Sequence, residues 1–273
     1  MDRREQLPII PVPTVRFMPI PKTFLLSLLI FAAGGAQVVG AGNGAAPKPG
    51  GIIERARSTV GTEAALRDLV TLRIRGRIEP SDPKMPEALL VILAREPASQ
   101  RLEVRVDDLI ETTLVHGGEG AVIRSNVNEE ASRMRPLTGE ELKRARINTR
   151  QFFSFYRPDA KHGETVRYAG IEQRRGVRCH ELVYEYPDGV TTKRFFAVND
   201  DTLVAKVADN GIESVEKGKQ VVDGIRFPEK VAYFEDGRKL HTIHIEKVEV
   251  NKPLEAGIFT IPEGRDEPPP GMK

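Results

Sequence analysis

Two histidines three residues apart, His241 and His244, form the one H-x-x-H pair of the chain. That spacing binds metals when it lies on a helix. Here it lies in "KLHTIHIEKVEV", which alternates apolar and polar residues as a strand does. Successive strand side chains point to opposite faces, so the two imidazoles point apart and cannot share an ion. Cys179, the single cysteine, sits in the strand-like "VRCHELVYEY" and has no partner for a disulfide or a cysteine metal cluster. His180 beside it faces the other way, so the thiol reads as a small buried side chain. "GGEG" at 117–120 opens no helix and carries no following Lys-Ser or Lys-Thr, so it reads as a turn and not a phosphate loop. Ser58, Ser125, Ser132 and Ser154 lie in no nucleophile-elbow setting. Carboxylates alternate with Arg and Lys along strands, the pattern of cross-strand ion pairs on a wet face. No catalytic residue, metal ligand set or cofactor is expected, and a hydrolase is the least supported reading.

The arginines leave two readings open. Arg73, Arg75 and Arg77 form a stripe, and Arg133, Arg135, Arg144, Arg146 and Arg150 cluster around a helix. They could recognise lipid phosphates or carboxylates at a cavity mouth, or simply make a solvated face. The aromatic group "QFFSFY" at 151–156 could line an apolar cavity or fill a core.

The elements that must position these residues are mostly strands. The 273 residues suffice for one large domain, and the net charge of +2 argues against nucleic acid as partner. "FLLSLLIFAA" at 24–33 has the length of a secretory h-region; Lys22 precedes it and small residues follow. Cleavage fits after Ala36 or after Ala41, and Val39 and Ala41 favour the second. An uncleaved inner-membrane anchor is the alternative. Residues 1–41 are thus expected to be an export signal with a long preface. Residues 42–51 would be a Gly/Pro linker, 52–262 one domain and 263–273 a disordered tail.

"IIERARSTVGTEAALRDLV" has helical spacing, broken at Gly61 and restarted at Thr62-Glu63. "VTLRIRGRIE" then alternates, with Val70, Leu72, Ile74 and Ile78 on one face. "EALLVILARE" is apolar on both faces and reads as a covered strand. "SQRLEVRVDD" alternates again, placing Leu102, Val104 and Val106 together. "LTGEELKRARINTRQFFSFY" opens with Thr138 and carries Glu141 three residues on, a capping box that starts a helix. Hairpins follow, one across Asn210-Gly211 and one across "EDGR". About ten or eleven strands result, without βαβ alternation. The expected fold is α+β and mainly β: a strongly curved antiparallel sheet, or incomplete barrel, with helices on its concave side.

The order of the motifs then resembles the outer-membrane lipoprotein-sorting, or LolA-like, superfamily. The resemblance rests on "GIEQRRGVRCHEL" from Gly170 to Leu182, the "DGIRFP" turn at 223–228 and the closing "VNKPL…FTIP". It implies an incomplete barrel, a helical lid held shut by an arginine, and an apolar interior for acyl chains. No arginine stands out in the sequence for that role. A non-enzymatic periplasmic carrier is therefore expected, taking a lipid or lipoprotein acyl chains, monomeric and in transient contact with membranes. Leu72, Ile74, Leu102, Val104, Phe152 and Phe153 are the expected lining residues. The alternative is an envelope sensor or scaffold that binds another protein through the same fold.

Overall fold

Apolar residues recur at every second position at Leu72 and Ile74, over 88–94 and over 102–106. In the computed structural model, which describes residues 47–187 and 189–263, they lie on three neighbouring strands. These are β1 (Thr71–Pro80), β2 (Ala88–Arg95) and β3 (Ser99–Val106). β4 (Leu109–His116), β5 (Glu119–Asn126) and β6 (Glu129–Pro136) extend the sheet as a meander. After a long helix come β7 (Thr165–Arg174), β8 (Val177–Glu185), β9 (Thr191–Ala197), β10 (Leu203–Ala208) and β11 (Glu213–Lys217). A two-stranded ribbon, β12 (Gln220–Val222) and β13 (Ile225–Phe227), precedes β14 (Lys230–Glu235) and β15 (Arg238–Val250). The expected signal at 1–41 lies outside the described residues, and so does nearly all of the expected tail.

The strands join one 13-stranded antiparallel sheet in the order β6-β5-β4-β3-β2-β1-β15-β14-β11-β10-β9-β8-β7. β1 and the last strand, β15, pair at its centre and weld the two halves of the chain together. The sheet is curved but not closed, since β6 and β7 end it without pairing to each other. The count exceeds the ten or eleven strands expected. β6 has a polar sequence that gives no apolar alternation, and "ESVEKGKQVV" breaks at Gly218 into β11 and β12. β2 also departs from its reading as covered on both faces, because Leu89 on its convex side is 58% exposed.

Three helices cover the concave side: α1 (Pro49–Ser58), α2 (Glu63–Arg67) and α3 (Gly139–Ser154). α1 begins at Pro49, inside the stretch read as linker. The capping box forms as expected: the Glu141 amide donates to Thr138 Oγ1, and the Glu141 carboxylate accepts from the Thr138 amide. That carboxylate also takes Arg135, and the pair pulls its pKa down to about 2. The helix stops at Ser154, two residues short of the pattern, because Phe155 and Tyr156 both adopt positive φ (41° and 72°).

The main core lies under α2 and the end of α3, where Leu72, Ile78, Leu90, Val104, Ile225 and Phe153 pack together. A second cluster joins Ile52 and Ile53 of α1 to Leu182, Tyr184 and Phe196. The C-terminal segment returns over the convex side. There Phe259, 2% exposed, stacks on His116 and lies under the Arg95 guanidinium.

Candidate functional site: a cavity between sheet and lid helix

Strand register decides what faces the concave side. Ile74 pairs with Ile92, Ile92 with Leu102, and Leu102 with Thr113, so four strands contribute one row across the floor. On the other half Arg194 pairs with Lys206, Lys206 with Ser214, Ser214 with Tyr233, and Tyr233 with His241. Helix α3 spans the hollow above both rows without filling it. A cavity of about 330 Å³ remains between them. Its wall is apolar toward β1–β3, with Leu72, Ile74, Leu90, Ile92 and Leu102, and toward β15, with Ile243 and Ile245. Toward β9–β13 it carries Arg194, Lys206, Glu216 and Arg226.

Of the six expected lining residues, Leu72, Ile74, Leu102 and Phe152 face this cavity. Val104 and Phe153 do not. Val104 sits one row further along, between Leu90 and Glu111, and is 1% exposed in the packed core. Phe153 is one helical step from Phe152, about 100° round the axis, and packs into the same core. The sequence reading missed the charged wall entirely. Arg194 and Lys206 stand in "TTKRFFAVN" and "LVAKVAD", where a charge flanked by apolar residues on an inward face was the available signal.

The arginine stripe on β1 points the other way. Arg73 and Arg75 reach Glu249 at 3.8 and 3.5 Å, and Arg77 reaches Glu87 at 2.7 Å. These are partly exposed ion pairs on the convex face, away from the cavity. Among the helix-associated arginines, Arg144 bridges Asp209 at 2.6 Å and Arg150 bridges Glu164 at 3.1 Å, fastening α3 to its surroundings. The buried Thr149 hydroxyl lies 2.6 Å from the Gln100 amide oxygen on β3. Gln151 accepts from Lys206 Nζ at 3.2 Å and donates to the Tyr186 hydroxyl at 2.9 Å.

The C-terminal end of α3 is held by Arg57 of α1, which is 4% exposed. Its Nη1 donates to the carbonyls of Ser154 and Phe155 at 2.6 and 2.9 Å, while its Nη2 pairs with Glu63 at 2.9 Å. The Tyr184 hydroxyl donates to the Tyr156 carbonyl at 2.8 Å. These contacts hold two aromatic residues in left-handed backbone, a conformation that costs about 1–3 kcal/mol each. Both residues line the cavity.

The histidine and cysteine readings match the structure. His241 is buried on the concave face and stacks on Tyr233, whereas His244 faces outward and meets Glu79 at 2.5 Å. Cys179 is fully buried, and burial raises its thiol pKa. Among the described residues no three His, Cys, Asp or Glu side chains gather to hold a metal, and no helix is long and apolar enough to cross a membrane.

No protein-family model matches the chain, and no curated protein does. Solved structures do. A DUF1329 family protein from Desulfovibrio piger superposes with a TM-score of 0.53 at 8% identity, over 77% of this chain and 96% of that one. A LolA superfamily protein from Nitrosomonas europaea superposes with a TM-score of 0.50 at 11% identity, over 79% of this chain and 99% of that one. At such identities the likeness speaks for architecture: the chain has the LolA-like fold.

Proposed function

We propose that this chain is a non-enzymatic carrier of the bacterial envelope that holds a hydrophobic ligand, a lipid or the acyl chains of a lipoprotein, under helix α3. One observation carries the reading: the apolar cavity between floor and lid, in a fold shared with a LolA superfamily protein. Each methylene that leaves water for that cavity contributes about 0.8 kcal/mol, so one alkyl chain supplies useful affinity without any reactive group. Passage in or out requires α3 to move. The bonds from Arg57, Arg144 and Gln151 set the resistance to that motion. Release follows when a receptor or membrane offers the ligand a better site. The apolar run at 24–33 supports export to the periplasm.

The test is mass spectrometry of organic extracts from the purified protein, with a titration by a fluorescent fatty acid. Co-purified lipid and saturable binding are expected; their joint absence overturns the proposal. The outer edges of β6 and β7, which pair with no other strand among the described residues, favour a second reading, a sensor or scaffold that adds a partner's strand to the sheet. A pulldown from periplasmic extract that enriches a protein but no lipid would support it over the first.

A further inference from the structure

The two ends of the cavity differ in a way that general greasiness does not require. Its lining holds four basic side chains, Arg144, Arg194, Lys206 and Arg226, and two acidic ones, Asp209 and Glu216. Arg144 and Asp209 are spent on each other. Arg194, Lys206 and Arg226 are left to share Glu216, a surplus of positive charge inside a half-barrel. Register makes this sharper. Arg194 and Lys206 are direct cross-strand partners on the same face, and like charges so placed disfavour the sheet.

Arg194 is the most telling of the three. It is 4% exposed, and its guanidinium lies 3.9 Å from the Tyr184 ring centre and 5.5 Å from that of Tyr156. Both rings lie within cation–π distance of the guanidinium. Its Nη1 is buried without a hydrogen-bond partner among the described residues. A buried donor left without an acceptor is rare in folded proteins. Lys206 uses Nζ toward the Gln151 amide oxygen, and an ammonium carries three donors in all. Burial, with Arg194 adding to it, brings its pKa down to about 8, so the amine sits where water offers little relief. Arg226 is carried by the β12–β13 ribbon and reaches the same wall.

We infer that the cavity takes a single-chain amphiphile with an anionic head, its chain over β1–β3 and its head against Arg194, Lys206 and Arg226. The inference rests on the carrier reading and names its ligand class. A planar guanidinium fork matches a carboxylate or phosphate with paired hydrogen bonds, and a head there would occupy the free Nη1 donor and offset the cationic surplus. The volume of about 330 Å³ lies at the low end of small-molecule pockets, which run from about 300 to 1,000 Å³, and suits one chain better than two.

Calorimetric titration of the full chain, freed of lipid on an apolar resin, tests this with four probes sharing a dodecyl tail. Dodecanoate and dodecyl phosphate present the two anionic heads, dodecanol a neutral one and dodecyltrimethylammonium a cationic one. At least one anion should bind about tenfold or more tighter than dodecanol, with the cation weakest. Which anion binds tighter identifies the head. Lys206→Gln and Arg226→Gln should each lower anion affinity about fivefold or more and leave dodecanol within about twofold. Arg194→Gln should do the same if circular dichroism shows it folded; otherwise the other two variants decide. Equal affinity for dodecanol and both anions, or variants that weaken all probes alike, overturns the inference and leaves the carrier standing. Binding of none of the four overturns the carrier reading and the inference with it.

Discussion

His241 carries a proton-linked stability effect that follows from where its strand places it. Burial and the nearby Lys239 lower its pKa to about 4. Between pH 4 and the ordinary histidine value of about 6.5, the unfolded chain binds a proton that the folded one refuses. Stability therefore rises with pH across that window and falls on acidification through it. Urea unfolding at stepped pH should show this slope, and His241→Phe should flatten it while keeping the stack on Tyr233. Lys206 acts in the same direction at the alkaline end, between its depressed value of about 8 and about 10.4 in the unfolded chain, so Lys206→Gln should remove that second rise. Arg57 is the other residue whose worth is local and large. Arg57→Ala strips the donors from the Ser154 and Phe155 carbonyls. We expect a loss of about 2 kcal/mol in urea unfolding, with faster exchange of the α3 amides. Unchanged stability would remove Arg57 from the lid.

At the scale of elements, α3 depends on its first turn and the central strand pair on one glycine. Thr138→Ala breaks the capping box and should lower stability by about 1 kcal/mol, read as a shift in the urea midpoint without change of slope. Gly76 marks the shift in register between β1 and β15. A Cβ there would collide with the His244 carbonyl oxygen, a backbone atom that cannot swing away. Gly76→Ala should therefore cost about 2–3 kcal/mol. It acts on the pairing that joins the two halves of the sheet, so unfolding should remain one cooperative transition at a lower midpoint. A stability equal to wild type would show that the bulge can absorb a methyl group.

For the whole molecule, the cavity separates binding from folding. Ile92 faces it from the floor. Ile92→Phe adds volume toward open space rather than into packed atoms, so stability should stay within about 1 kcal/mol of wild type. The fluorescent fatty acid should bind about tenfold or more weakly, because the space for its chain is taken. Full binding with intact folding would place the ligand elsewhere on the molecule. The open sheet matters at this scale too. A closed barrel would fix the width of the interior, whereas here β6 and β7 end the sheet without pairing to each other.

The sequence by itself determined a good deal. Alternation at Leu72, Ile74, Leu102 and Val104, the turn at Asn210-Gly211 and the box at Thr138 and Glu141 are local signals. They specified an antiparallel curved sheet with a helix laid across it, because period, turn chemistry and capping act within a few residues. It also settled that His241 and His244 point apart, since that follows from pleat alone. What it could not contain was which strands meet. Arg194 and Lys206 are twelve residues apart in the chain and side by side in the sheet, and only register puts them on one wall. Phe152 and Phe153 look equivalent in sequence, yet one faces a cavity and the other a core, because the rotation of α3 is set by Arg57, Thr149 and Arg144. The cavity itself was decided by tertiary structure, since empty space is a property of how far apart the packed layers come to rest, and no single residue encodes it.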